Sequence, residues 1–246
     1  VYIWDMDETL ILLKSLLDGT YARSYNGLKD SVKGMEIGKC WEDRILQVCD
    51  EYFYYEQIED YNQPFLDALS EYDDGKDLSE YDFNNDGFDY VNKRKLAYRH
   101  RVIGQKYAQG LRSVLDQQML KLWDDLYQLT DGYTEGWLSA GHALLEQPNI
   151  HVLVTSGSLV PSLVKCLLFR LDDVIVYSAW EVGKLQCFSW IKNRFPTVRF
   201  CVIGDGMEEC EAAQKMMWPF IKIDLYPHRF PGLTIRMMEH YMDTIY

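Results

Sequence analysis

The stretch that decides the fold is Val1-Tyr-Ile-Trp-Asp5-Met-Asp7-Glu8-Thr9-Leu10. An apolar run from Val1 to Trp4 stops at two carboxylates one residue apart, and a hydroxyl follows at Thr9. A strand buried on both faces of a parallel sheet reads this way when its acids emerge in the crevice beyond its carboxyl end. Alternate residues of an extended chain point the same way, so Asp5 and Asp7 are expected to face one spot. Two carboxylates held together are costly unless a proton, a lysine or a metal cation sits between them. The remainder of the chain must supply one.

The final third alternates strand and helix. Strands are expected at Ile150–Val154, Val174–Tyr177, Arg199–Ile203 and Phe220–Ile223, with helices at Leu159–Phe169, Lys184–Arg194 and Glu208–Met217. Such alternation predicts an α/β fold, a doubly wound parallel sheet that the opening strand joins. The interval between the first strand and Ile150 is too long for an ordinary crossover, so residues 20–147 are expected to form an inserted unit. The core would then comprise 1–19 and 148–246. The insertion reads as mostly helical, with helices at Trp41–Tyr61, Asn92–Gln109, Leu111–Leu129 and Gly132–Glu146. Asp18-Gly19 marks a turn. An acid-rich segment from Asp67 to Asp89 is expected to be a solvated loop. Its Asn84-Asn85-Asp86-Gly87 resembles part of a calcium loop, but a loop starting at Asp82 would put Lys93 where the bidentate Glu belongs.

Composition narrows the function. A chain of 246 residues, 48% hydrophobic, is large enough for a substantial core. A net charge of -13 argues against nucleic-acid or anionic-membrane binding as the main role. The local basic cluster Lys93, Arg94, Lys95, Arg99 and Arg101 is expected to be a solvated helix face. No apolar run approaches the roughly 18 residues of a membrane span, and no basic segment precedes the first strand, so neither a span nor a signal peptide is expected. The six cysteines form no C-x-x-C pair and are read as reduced thiols, which points to the cytoplasm or nucleus. None has an arginine at the spacing of a cysteine-phosphatase loop. His142 and His151 are expected to be cap or surface residues.

Each core strand ends in polar groups, and those ends share one edge of the sheet. The first delivers Asp5 and Asp7, and the second Thr155-Ser156-Gly157-Ser158 just ahead of a helix. A hydroxyl and free N–H groups at a helix start suit a phosphate, with Ser158 as the expected N-cap. Lys184 follows the third strand. Gly204-Asp205-Gly206 follows the fourth, with Glu208 and Glu209 behind it. Carboxylates, a lysine, a small hydroxyl and no evident catalytic histidine add up to a hard-cation site that handles a phosphoryl group.

The order Asp-x-Asp-x-Thr, Thr, Lys, Gly-Asp-Gly resembles the motifs of the haloacid dehalogenase superfamily. Trp4-Asp-Met-Asp-Glu-Thr-Leu10, Ser15-Leu-Leu-Asp-Gly-Thr-Tyr-Ala22, Tyr81-Asp-Phe-Asn-Asn-Asp-Gly-Phe88, Arg94-Lys-Leu-Ala-Tyr98 and Gly204-Asp-Gly-Met-Glu-Glu209 resemble the C-terminal domain of the Eyes absent proteins. The resemblance implies a Rossmann-like core with a helical cap inserted after the first motif, and a magnesium-dependent protein tyrosine phosphatase. It implies Asp5 as the nucleophile that becomes an aspartyl-phosphate and Asp7 as acid and base. Mg2+ would be held by Asp5, the Asp7 carbonyl and Asp205. Thr155, Ser156 and Gly157 would bind phosphate, Lys184 would offset charge, and Glu208 or Glu209 would orient metal-bound water. Animal members carry histidine where this chain has Lys14, so the likeness is greater to the shorter plant form. The same resemblance implies an alternative, a transcriptional coregulator that binds a homeodomain partner through the cap. Another alternative keeps the chemistry but acts on phosphoserine or a small molecule. Dehalogenation is disfavoured because it has no use for Asp7.

Overall fold

The computed structural model describes residues 1–86, 93–172, 174–225 and 233–246. Among these, five strands make one parallel sheet: β1 (Tyr2–Trp4), β2 (His151–Thr155), β3 (Ile175–Ser178), β4 (Cys201–Gly204) and β5 (Phe220–Lys222). Their order is β3-β2-β1-β4-β5, with Trp4 in register with Leu153 on one side and Ile203 on the other. The chain winds outward from β1 in both directions. The switch point, where such sheets bind ligands, therefore lies where Asp5 leaves the sheet.

The apolar strand residues divide between two faces. Ile3, Val152, Val154, Tyr177 and Val202 pack with Cys187, Phe188 and Ile191 of the Lys184–Arg194 helix and with Ala212 and Ala213 of the Met207–Met216 helix. Tyr2, Trp4, Leu153 and Ile203 face the other way, into a larger cluster with the Leu159–Leu168 helix. That cluster continues into the segment between β1 and β2 through Trp41, Phe53 and Trp137, with the Trp41 ring 4.2 Å from that of Phe169. The described part of this segment is helical.

The core strands and helices fall within two residues of their expected bounds. Larger differences lie in the insertion. The first long helix runs Ser31–Phe53, starting ten residues before the expected Trp41. Its first turns carry Gly34 and Gly38, which weaken a helical pattern but are required by packing. A Cβ at Gly34 would lie 2.5 Å from Tyr133 Oη, and one at Gly38 2.8 Å from the Leu17 nitrogen. The helix stops at Tyr54, whose φ of 57° is left-handed, rather than continuing to Tyr61. The Leu111–Leu129 expectation divides at Asp116, whose carboxylate caps a helix over Gln117–Tyr133. A helix expected from Gly132 begins only at Trp137, after Gly136 at φ 85°. A further helix, Ile235–Ile245, was not anticipated, although Ile235, Met238, Tyr241 and Met242 follow helical spacing behind the Thr234 cap.

The basic cluster is not a uniformly solvated face. Lys95 and Arg99 are buried, with Lys95 Nζ 4.5 Å from the Tyr81 ring centre and the Arg99 guanidinium between Tyr54 and Phe83 at 4.0 and 3.9 Å. Aromatic faces replace water around these cations. Arg94 and Arg101 pair with Asp74 and Asp73 of the acid-rich segment. That segment includes a 3₁₀ helix over Leu66–Tyr72 and a turn of helix at Phe83–Asp86, and so is not all loop. Asp73, Asp74, Asp77 and Asp82 each accept a backbone N–H two residues on, which commits them to turn formation. Residues 87–89 and Asn92 lie outside the described residues. His151 is a core residue of β2 rather than a cap or surface group. Its Nδ1 accepts from Trp4 Nε1 at 3.0 Å, its ring stacks on Tyr2, and burial lowers its pKa.

Candidate active site

Asp5 follows β1 directly, and its N–H donates to the Ile203 carbonyl of β4 at 2.9 Å. Lys184 opens its helix and sends its ammonium across the sheet edge to Asp5 Oδ1 at 2.5 Å and Glu209 Oε2 at 2.8 Å. All three side chains are buried. Asp205 follows β4 and is half-buried. Carboxylate oxygens of Asp5, Asp205 and Glu209 lie within 4.8 Å of one another. Thr9 spans the gap, with its Oγ1 3.5 Å from Asp5 Oδ2 and 3.4 Å from Asp205 Oδ1.

One ammonium thus pairs with two of the three carboxylates, Asp5 and Glu209. Burial pushes the Asp5 carboxyl up to about 7; Lys184 opposes the shift, and the Glu209 charge adds to it. Burial and Glu209 also raise Asp205. Burial would raise Glu209 too, but Lys184 and the Gly206 N–H outweigh it and hold this carboxyl below its ordinary range. Lys184 pays a desolvation cost that Asp5 and Glu209 more than offset, so its pKa is raised. A compact all-oxygen donor set with surplus negative charge suits a hard divalent cation, so the residues present fit a metal.

The two glutamates after Asp205 have separate tasks. Glu209 lies inside, accepting from the Gly206 N–H and pairing with Lys184. It passes so close to β4 that a Cβ at Gly204 would lie 2.5 Å from its Oε1, so the Gly-Asp-Gly sequence makes room for it. Glu208 is exposed and ties loops together, accepting from Ser156 Oγ at 2.9 Å and from the Lys184 N–H at 3.2 Å.

Thr155 ends β2, buried, with its Oγ1 accepting from the Gly157 N–H at 3.1 Å. Ser178 Oγ at the end of β3 donates to the Gly157 carbonyl at 2.8 Å. Ser158 occupies the N-cap position of the next helix, but its hydroxyl does not cap it. Asn62, from the insertion, instead accepts from the Leu159 N–H at 2.8 Å. No local pattern points to an asparagine 97 residues upstream.

The Asp7 carboxylate is paired with a lysine, although its charge still reaches Asp5 and raises it. The strand ends at Trp4, and the Met6 carbonyl accepts from the N–H groups of Leu10 and Ile11 in a tight loop, so the alternation of an extended chain stops applying. The Asp7 carboxylate turns toward Lys165, whose Nζ lies 2.7 Å from its Oδ1. Glu8, at φ 60°, accepts from the N–H groups of Leu13 and Ser15 and so pins the loop. Trp137 Nε1 donates to the Thr9 carbonyl at 3.1 Å, which fastens the insertion to this loop. Lys165, Asn62 and Trp137 were not identified from sequence. A cavity of about 310 Å³ opens beside Asp205, lined in part by Glu8, Lys14, Asp18 and Asp224.

Burial pushes the thiols of Cys49, Cys166, Cys187 and Cys201 up to about 12, which makes them poor nucleophiles. The candidate nucleophile at the site is a carboxylate.

No family model matches the chain. Protein phosphatase EYA of Arabidopsis thaliana is 55% identical to it, in an alignment covering 100% of this chain and 90% of that protein. The chain belongs to the Eyes absent family. Human protein phosphatase EYA2 is 34% identical over 92% of this chain but 47% of its own length. Protein phosphatase eya of Drosophila melanogaster is 32% identical over 92% of this chain and 34% of its own length. The chain therefore spans about half or less of these animal relatives. The five-stranded parallel sheet agrees with the α/β fold expected of an Eyes absent protein.

Proposed function

We propose that this Eyes absent chain is a magnesium-dependent protein tyrosine phosphatase that acts through an aspartyl-phosphate at Asp5. One observation carries the reading: Asp5, leaving the sheet at its switch point, meets Lys184 at 2.5 Å and lies within 4.8 Å of Asp205 and Glu209. The names of its relatives as protein phosphatases support it.

Asp5 and Asp205, with the Asp7 backbone carbonyl, would hold magnesium, which when bound supplies positive charge to the phosphoryl oxygens. The chain's own groups carry the rest. An Asp5 oxygen attacks phosphorus, the bond to the aryl oxygen breaks, and the electron pair leaves with the tyrosyl oxygen. Lys184 offsets charge on Asp5 and on the transferring group, while Thr155 and the N–H groups of Ser156 and Gly157 receive phosphoryl oxygens. Asp7 turns from Lys165 to give a proton to the leaving oxygen. It then takes one from the water that attacks phosphorus and releases phosphate from Asp5. A phenol, with a pKa of about 10, departs with little help from that acid, which accords with a tyrosine substrate.

The test compares release of phosphate from a phosphotyrosine and a phosphoserine peptide, with magnesium, with EDTA, and after thiol alkylation. Expected are turnover of the phosphotyrosine peptide well above that of the phosphoserine peptide, abolition by EDTA and by Asp5→Asn, and no effect of alkylation. Turnover that survives Asp5→Asn, or that alkylation destroys while the fold persists, would overturn the reading.

A further inference from the structure

The edge of the sheet that presents Asp5 also carries apolar groups in water. Trp180 is 65% exposed, Val182 39% and Met207 73%. Single exposed apolar residues need no explanation, but Trp180 and Val182 lie in the turn that leads to Lys184, and Met207 opens the helix behind Asp205. Trp180 and Val182 sit in a turn that leaves the end of β3 and closes where the Gly183 N–H donates to the Ala179 carbonyl at 2.8 Å. The residue after that turn is Lys184, whose side chain reaches Asp5. Met207 precedes Glu208, whose carboxylate joins the Lys184 N–H to Ser156. The base of the Trp180 turn is tied to the phosphate loop, because Ala179 N–H donates to the Thr155 carbonyl at 2.8 Å and Ser178 Oγ to that of Gly157 at 2.8 Å.

We propose that Trp180, with Val182 two residues on in the same turn, is the seat of the substrate's aromatic ring and selects aryl over alkyl phosphates. This rests on the Asp5 reading above and deepens it. β3 stands two strands from β1 in the sheet order, roughly 10 Å across the sheet. A phosphoryl group held at Asp5 and Thr155, the ends of β1 and β2, leaves its ester substituent about 5 Å, one strand spacing, to cross at the rim to the end of β3. A flat apolar ring placed there covers the exposed indole, and ring pairs add to the gain from buried area. A serine side chain ends too close to phosphorus to reach it. Selection at this rim differs from selection by leaving-group acidity, because it acts on binding.

The experiment measures kcat and KM with magnesium for a phosphotyrosine peptide, phenyl phosphate and an alkyl phosphate, in the wild-type chain, Trp180→Ala and Trp180→Phe. Expected is an approximately tenfold rise in KM for both aryl esters in Trp180→Ala, with kcat retained, the alkyl ester unaffected, and recovery in Trp180→Phe. An unchanged aryl-to-alkyl ratio in Trp180→Ala, or an equal loss on all three esters, would overturn the proposal. An active wild-type chain with an unaffected Trp180→Ala refutes the aromatic seat alone. A wild-type chain inert on every ester refutes the Asp5 reading, and the aromatic seat with it.

Discussion

Glu209 Oε2 lies 2.8 Å from Lys184 Nζ, the same ammonium that contacts Asp5 at 2.5 Å. Glu209 is itself anchored by the Gly206 N–H. It therefore holds the lysine against the candidate nucleophile, which in the proposed reaction makes it a positioning residue. Removing it leaves a buried ammonium with one carboxylate partner instead of two. Glu209→Ala is expected to lower stability by about 1–3 kcal/mol and to reduce kcat at least tenfold, as measured by denaturant unfolding and steady-state kinetics.

Asp5 imposes a pH dependence on the metal-free protein. Its carboxyl is pushed up to about 7 in the fold, against an ordinary value near 4 in the unfolded chain. Between those values the folded state keeps a proton that the unfolded state releases, so this group's contribution to stability falls as pH rises from about 4 to about 7. In EDTA, the melting temperature of Asp5→Asn relative to wild type is expected to rise across that window and level off above it. A difference that is flat with pH would contradict the raised carboxyl.

Gly204 and Gly132 offer a paired test of close approach. An added Cβ at Gly204 would lie 2.5 Å from Glu209 Oε1 and 2.6 Å from its Cγ, whereas one at Gly132 meets nothing within 4 Å. Gly204→Ala is expected to displace Glu209, cost about 1–3 kcal/mol and lose activity. Gly132→Ala, within the Gln117–Tyr133 helix, is expected to keep activity and gain about 0.5–1 kcal/mol. Thermal melts and phosphate release distinguish the two.

Lys165 holds Asp7 at 2.7 Å, and the pair is partly exposed, with side-chain exposures of 14% and 36%. Its contribution to stability should therefore be small, within about 1 kcal/mol. Its effect on catalysis should be larger, because it sets where the Asp7 carboxylate waits. Lys165→Met is expected to melt near wild type while changing kcat several-fold, with the greater change on esters whose leaving groups need a proton. Equal effects on good and poor leaving groups would show that Lys165 does not act through Asp7.

Local pattern reached a long way in this protein. The abrupt change from Trp4 to Asp5, the strand-helix alternation after Ile150 and the small polar groups at strand ends are local properties, and the parallel sheet follows from them. Inside the insertion the same reasoning misplaced helix ends at Ser31, Tyr54, Asp116 and Trp137. There, close packing against Tyr133 and Leu17, left-handed residues and a capping carboxylate outweigh helical periodicity.

From the sequence alone came the identity of the acids, the lysine and the hydroxyl, and the sheet edge they share, because strand period and strand ends are written in neighbouring residues. Tertiary structure alone decided that Glu209 is buried on Lys184 while Glu208 bridges loops, that Asp7 turns to Lys165, that Asn62 caps a distant helix, and that Lys95 and Arg99 are buried among aromatic rings. Each depends on a contact between residues far apart in the chain. A side chain's direction there is settled by whichever charge, N–H group or ring the fold brings to it.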